Sequence, residues 1–153
     1  MSEENQFTIQ KIYLKDASFE SPKSPRIFAE GEIQPQVSVQ LNSNSQPIAE
    51  GVYEVVLEIT ATAKINESTA FLVEVKQAGV FNVAGFSEEN LGGMLGVYCP
   101  ESLFPYAREA ISELVSKGGF PPLLLAPVNF NTLYTEQLQQ QQAVASSDQG
   151  AAH

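Results

Sequence analysis

The sequence predicts an α+β domain. Apolar and polar residues alternate with a period of two through much of the first half, and apolar residues at helical spacing take over after Gly85. A length of 153 residues suits one core that buries roughly 70% of the surface the unfolded chain exposes.

The opening run is irregular. Phe7 and Ile9 share a face with Tyr13 while Ile12 and Leu14 share the other, which predicts a strand with both faces partly covered and a bulge within it. Asp16 to Gln36 follows, rich in Ser, Pro and Gly yet carrying Phe19, Ile27, Phe28 and Ile33. It reads as a long loop that binds or covers something. In Val37-Ser38-Val39-Gln40-Leu41 strict alternation predicts a half-buried strand, closed by the turn cluster Asn42 to Pro47.

The next run places Tyr53, Val55, Leu57, Ile59 and Ala61 on one face and Glu54, Glu58, Thr60 and Thr62 on the other, with Val56 as the exception. A turn around Lys64 to Ser68 leads to Phe71, Val73 and Val75 alternating with Leu72, Glu74 and Lys76, the second arm of an antiparallel hairpin.

Ser87 is a good helix N-cap, and Glu88 and Glu89 complement the helix dipole ahead of Leu91, Met94, Leu95 and Tyr98. The Cys99-Pro100 step predicts an end or a kink. Phe104, Ala107, Ile111, Leu114 and Val115 then make a second stripe, which Gly118-Gly119 terminates. A last helix, starting near Asn129 or Asn131, carries Phe130, Leu133, Tyr134 and Leu138 on one face. Residues 1–138 are taken as one domain, and the Gln, Ala and Ser of 139–153 predict a disordered tail.

Composition excludes several functions. Eighteen acidic against eight basic residues give a net charge of −10, which repels phosphate backbones and anionic lipid and attracts basic partners. Nucleic acid and direct membrane insertion are therefore not expected, and no run approaches the ~18 apolar residues of a span. The N-terminus is acidic and polar where a secretory signal needs a basic start and an apolar run, so a cytoplasmic protein is expected. The single cysteine, Cys99, fits a reducing compartment. Asn66-Glu67-Ser68 matches a glycosylation sequon but is turn chemistry in a protein that is not secreted.

Groups that converge for catalysis or metal binding are scarce. The sole histidine is His153, the last residue, and Cys99 before Pro100 reads as a small buried hydrophobe. Gly92-Gly93 lacks the lysine and spacing of a phosphate loop and reads as permitting close helix packing or a kink. Glu54 and Glu58 read as a solvated strand face rather than a paired acid and base. No enzyme activity is expected.

Two features resist an ordinary reading. Leu72 lies beside Glu74 on the polar face of its strand, either an isolated surface residue or the centre of a contact patch rimmed by charge. Phe19, Phe28, Ile33, Phe120 and Leu123 to Leu125 put more apolar material in loops than one small domain hides. Oligomerisation or a peptide groove absorbs it.

With those residues laid out, the chain resembles the SecB family of protein-export chaperones from about Phe7 to Leu138. The resemblance lies in Ile12-Tyr13-Leu14-Lys15-Asp16-Ala17-Ser18-Phe19-Glu20, Tyr53-Glu54-Val55-Val56-Leu57, Tyr98-Cys99-Pro100, Leu103-Phe104-Pro105-Tyr106-Ala107-Arg108 and Leu125-Ala126-Pro127-Val128-Asn129-Phe130, in sequence and spacing together. It implies an α+β subunit with a four-stranded antiparallel sheet and helices on one face, assembled as a dimer of dimers, a homotetramer. It also implies an ATP-independent holdase, without a cofactor, that keeps precursor proteins unfolded and delivers them to the translocase motor SecA.

On this account the client groove is walled by Val37, Val39 and Leu41, by Phe19, Phe28 and Ile33, and by Leu123 and Leu125, for each of which ordinary core is the competing role. Ile33 stands where relatives often carry a tryptophan. The family's motor-docking positions map onto Asp16, Glu20, Leu72 and Glu74, an acidic patch with an apolar centre suited to the basic, zinc-bearing tail of SecA; the metal belongs to that partner. Val73, Val75 and Gln77 fall where the family's subunit assembly is sensitive. The alternatives are an oligomeric adaptor whose apolar surface serves self-assembly only, and a small hydrolase working through Cys99.

Overall fold

A computed structural model describes residues 5–31 and 34–151, with side chains as far as residue 143. Four strands, β1 (Gln6–Glu20), β2 (Gln36–Ala49), β3 (Val52–Ile65) and β4 (Ser68–Ala84), form an antiparallel sheet in the order β1-β4-β3-β2. The hairpins β2-β3 and β3-β4 are local, so β1 and β2 are the two edges. The link between them crosses the width of the sheet, which explains its length, and it carries a 3-10 helix, Arg26–Ala29, that buries Ile27.

One face of β3 and β4 is continuous core: Val55, Leu57, Ile59, Ala61 and Ala63 beside Phe71, Val73, Val75, Phe81 and Val83. The long helix α2 (Cys99–Lys117) covers it with Leu103, Phe104, Ala107, Ile111 and Val115, lying mainly on β4 and β3. Among the described residues, the helix that covers the sheet packs on this inner face. Gly79 permits the close approach, since a Cβ there would come within 3.1 Å of Leu103.

Helix α1 (Glu88–Gly93) begins as its sequence predicts, with the Asn90 amide donating to Ser87 Oγ at 3.2 Å. The expected break at Cys99-Pro100 is instead a π-helical turn, Met94–Tyr98, that runs directly into α2. Pro100 sits in the first turn of α2, where a missing N–H is tolerated, and the widened turn accommodates its ring. Gly118 and Gly119 do end α2: Gly119 adopts φ +90°, and the Phe120 amide donates back to Val115 O at 3.2 Å.

Helix α3 (Phe130–Ala151) is capped by Asn129, whose Oδ1 accepts from the Thr132 amide at 3.0 Å. Its Tyr134 lies against Gly92 and Gly96; of the Gly92-Gly93 pair only Gly92 makes a close contact, since a Cβ on Gly93 would meet nothing within 4 Å. The helix continues beyond Leu138, where composition places a disordered tail. Gln and Ala are adequate helix formers, and Gln139 to Ala143 are all exposed.

Two segments differ from the sequence reading. Asn42 to Pro47 is not a turn but the second half of β2, paired residue for residue with Tyr53–Glu58. It is an edge strand, so polar side chains and Pro47 cost no ladder hydrogen bond on the outer edge; the turn falls at Gly51, with φ +69°. Likewise Asp16, Phe19 and Glu20 lie within β1, which runs on to Glu20 past two bulges, at Gln10 and at Lys15. The first bulge brings Ile12 and Leu14 onto the face of Phe7 and Ile9 and leaves Tyr13 on the other.

Candidate functional site

An apolar groove opens where the inner face of the sheet meets the segment after α2. Its volume is about 690 Å³, and Phe28, Pro35, Val37, Phe71, Phe120 and Leu123 form most of its apolar wall. Phe120 sits at the hub of an aromatic cluster, its ring centroid 4.9 Å from Phe71, 5.3 Å from Phe28 and 6.4 Å from Phe19. Phe19 stacks on Phe71 at 5.9 Å, inside the cluster rather than at the rim. The glycines of the α2 terminus make room: a Cβ on Gly118 would run into the Phe19 ring, and one on Gly119 would come within 3.0 Å of Phe28.

Of the eight groove residues expected from the sequence, Phe28, Val37 and Leu123 line this cavity and Phe19 backs it. Val39 and Leu41 continue the apolar strip along β2, Val39 exposed and Leu41 half-buried, so the strand is more open than the half-buried strand its alternation predicts. Leu125 packs against the core outside the cavity. Ile33 lies outside the described residues. Phe71 was not expected in the groove, and Phe120, counted among the surplus apolar loop residues, was not placed in its wall. The Gly118-Gly119-Phe120-Pro121-Pro122 string marked Phe120, whereas Phe71 is indistinguishable from its neighbours along β4.

The opposite face of the sheet gathers the acidic residues. Antiparallel pairing sets Glu20 opposite Leu72, Ser18 opposite Glu74 and Asp16 opposite Lys76, all directed away from the helices. Asp16, Glu20, Leu72 and Glu74 are thus brought together, with Leu72 half-buried among them. Glu58 of β3 joins them, its carboxyl beside that of Glu74. This contact, with partial burial and the Glu58 charge, pushes the Glu74 carboxyl up, and Lys76 only partly opposes it. Neither ion pair among the described residues, Lys15–Glu54 and Lys117–Glu113, involves any of these four acids or Lys76.

Glu54 behaves otherwise and corrects the expectation of a solvated face. It is 8% exposed and accepts from the Tyr13 hydroxyl, from Lys15 Nζ at 2.9 and 3.0 Å, and from Gln46 Nε2 at 3.0 Å. The Tyr13 and Lys15 hydrogen bonds hold its carboxyl below the usual range against the cost of burial. Burial and the same carboxylate push the Tyr13 phenol up to about 12. Val73 and Val75 are fully buried and Gln77 is 4% exposed, all on the inner face. All three are thus enclosed within the subunit itself, and none presents a surface contact.

Cys99 is buried, and burial alone pushes its thiol up to about 12, which makes it a poor nucleophile. Among the described residues no group of His, Cys, Asp and Glu is placed to hold a metal, and no helix is long and apolar enough to cross a membrane.

Comparison with known proteins adds the following. A family model described as "SecB: Preprotein translocase subunit SecB" matches residues 1–141. The protein-export protein SecB of Nitrosococcus oceani is 58% identical over 144 residues, covering 94% of this chain and 88% of its own. That of Methylococcus capsulatus is 55% identical over 150 residues, covering 94% and 96%. Among solved structures, a SecB-like chaperone of Mycobacterium tuberculosis in complex with a ChAD peptide from an antitoxin superposes with a TM-score of 0.62 at 18% identity, covering 80% of this chain and 90% of that one, a likeness of fold.

Proposed function

Because this chain belongs to the SecB family, we infer that it is a protein-export chaperone: it binds unfolded precursor proteins in the apolar groove and passes them to the SecA motor through the acidic face. The observation that carries the reading is the separation of the two surfaces. The aromatic groove lies on the helix side of the sheet and the unpaired acids lie on the other, so a client and a motor meet different faces of the same strands.

The groove suits extended apolar segments. At roughly 25 cal/mol per Å² buried, a few side chains give weak binding that releases without nucleotide hydrolysis. A long client engaging several grooves gains effective concentration, which is the advantage of the homotetramer, a dimer of dimers, that the reading includes. The acidic face, with an apolar residue at its centre, suits the basic zinc-bearing tail of SecA. The working compartment is the cytoplasm, where precursors are made.

The experiment is light scattering of an aggregating, reduced precursor with and without the chaperone, followed by addition of SecA. Suppressed aggregation and a shift of client to SecA are expected. Unchanged aggregation would leave only the adaptor role, in which the apolar surface serves self-assembly.

A further inference from the structure

We propose that the bulge at Lys15, which turns β1 over so that one strand serves both functional surfaces, is held in place by a clasp from both faces of the sheet, Glu54 outside and Gln77 inside. Leu14 pairs with Gln77 and Asp16 with Lys76, so Lys15 has no partner of its own in β4 and is the extra residue. Because side chains alternate, one inserted residue exchanges the faces of everything beyond it. Counted on from Leu14 without the insertion, Asp16, Ser18 and Glu20 would point under the helices and Phe19 would point out. With it, Glu20 and Asp16 stand beside Leu72 and Glu74, while Phe19 stacks on Phe71.

An insertion of this kind leaves a backbone group without its ladder partner and leaves the strand free to slip. Both problems are met here by side chains from neighbouring strands. On the inner face, Gln77 is nearly fully buried and its Nε2 donates to the Tyr13 carbonyl at 3.0 Å. On the outer face, the Lys15 ammonium lands on Glu54, two strands away, alongside the Tyr13 hydroxyl. Ala78, opposite Tyr13 in β1 and Val56 in β3, is small enough to leave the outer face low between them. Gln46 fixes the far oxygen of Glu54 from β2, so all four strands contribute to the clasp. Glu54 and Gln77 are positioning residues for both surfaces and touch neither ligand.

The clasp itself stands on geometry, and its consequence for docking rests on the reading of the acidic face given above. The test uses the full chain with Gln77→Leu, Glu54→Leu and Glu54→Gln. Amide hydrogen exchange is followed strand by strand, and calorimetry measures a zinc-loaded peptide of the SecA tail, with Leu72→Arg as docking control. In the two leucine variants the protected amides of Asp16–Glu20 should exchange about tenfold faster, as expected for losing one buried hydrogen-bond partner. Those of Phe7–Ile9 and β3 should stay within about twofold, the residual error for sites that do not share the lost contact. Tail affinity should fall in step, and Glu54→Gln, which keeps an acceptor, should recover most of it.

Uniform acceleration across the sheet, or none at Asp16–Glu20, would overturn the clasp. If the leucine variants do not fold, Tyr13→Phe removes one donor at constant volume and should give the same localised pattern at smaller amplitude; a uniform pattern there overturns it equally. Localised exchange with normal tail affinity in Leu72→Arg would sink the docking reading while leaving the clasp standing.

Discussion

Replacing Phe28 by alanine tests the groove directly. The ring is 46% exposed, held at its inner edge against Phe120 and over Gly119. A phenylalanine presents roughly 200 Å², so about 90 Å² of it faces the space a client would fill. At 25 cal/mol per Å² that surface is worth about 2 kcal/mol, or some thirtyfold in affinity for one groove. The buried half supports the fold by a comparable amount, so stability should fall by about 2 kcal/mol, less than a fully buried Phe→Ala change. The assay is fluorescence anisotropy of a short labelled apolar peptide, which engages one groove and avoids the compounding of several, at a temperature where circular dichroism shows the variant folded. Phe28→Leu, which keeps most of the apolar area, should bind within a few-fold of the parent. A folded Phe28→Ala chain that binds the peptide as tightly as the parent would show that clients go elsewhere.

Leu72→Arg and Glu74→Lys should each weaken binding of the SecA tail by tenfold or more while leaving client affinity and native mass unchanged, because both side chains lie on the face away from the groove; calorimetry giving normal motor affinity for both counts against the assignment. Glu54 has a lowered folded pKa, so its contribution to stability is present above the ordinary carboxylate range and is lost as pH falls through and below it. Thermal melts should therefore drop on acidification, and less steeply in Glu54→Gln. Tyr13 has a raised pKa, so its contribution is complete below about pH 10 and is lost as pH rises towards about 12; Tyr13→Phe should flatten that alkaline limb. Cys99 should resist a thiol reagent until the chain unfolds, and Cys99→Ala should retain client binding, whereas rapid labelling of the native protein would contradict its burial.

Alternation made β3 and β4 legible, because their inner faces are largely covered and, Gln77 and Gly79 apart, every second residue of their central stretches is apolar. Edges were harder. The outer half of β2 is Asn, Ser, Gln and Pro, residues that usually mark a turn, and only pairing with β3 makes them a strand. In β1 the mixed faces of Phe7 to Leu14 announced a bulge, but the second bulge, at Lys15, went unread because Asp16 to Glu20, which alternate regularly among themselves, were taken as the start of a loop. Leu72 was visible as an aliphatic on a charged face; its company required the register of β1 against β4. Glu54 was misread because its burial depends on Tyr13 and Lys15 from a strand that is not its neighbour, and on the small Ala78 between. Local pattern carries no information about a side chain two strands away.

A protein that displays apolar surface to unfolded chains must avoid being its own client, and the arrangement of these residues addresses that directly. The floor of the groove, Phe71 and Phe120, is nearly buried, so water meets chiefly its rim, Phe28, Val37 and Leu123 together with Pro121 and Pro122. Beside it, the open edge of β2 presents Ser38, Gln40, Asn42 and Asn44 on the outer side and ends at Pro47 and a bulge, features that discourage pairing with the edge of another copy. The net charge of −10 adds long-range repulsion between copies while attracting a basic partner. On the proposed reading the same charge excess favours both solubility and recruitment of a basic partner, and neither ion pair among the described residues involves the acids of the outer face: internal pairing would weaken both effects at once.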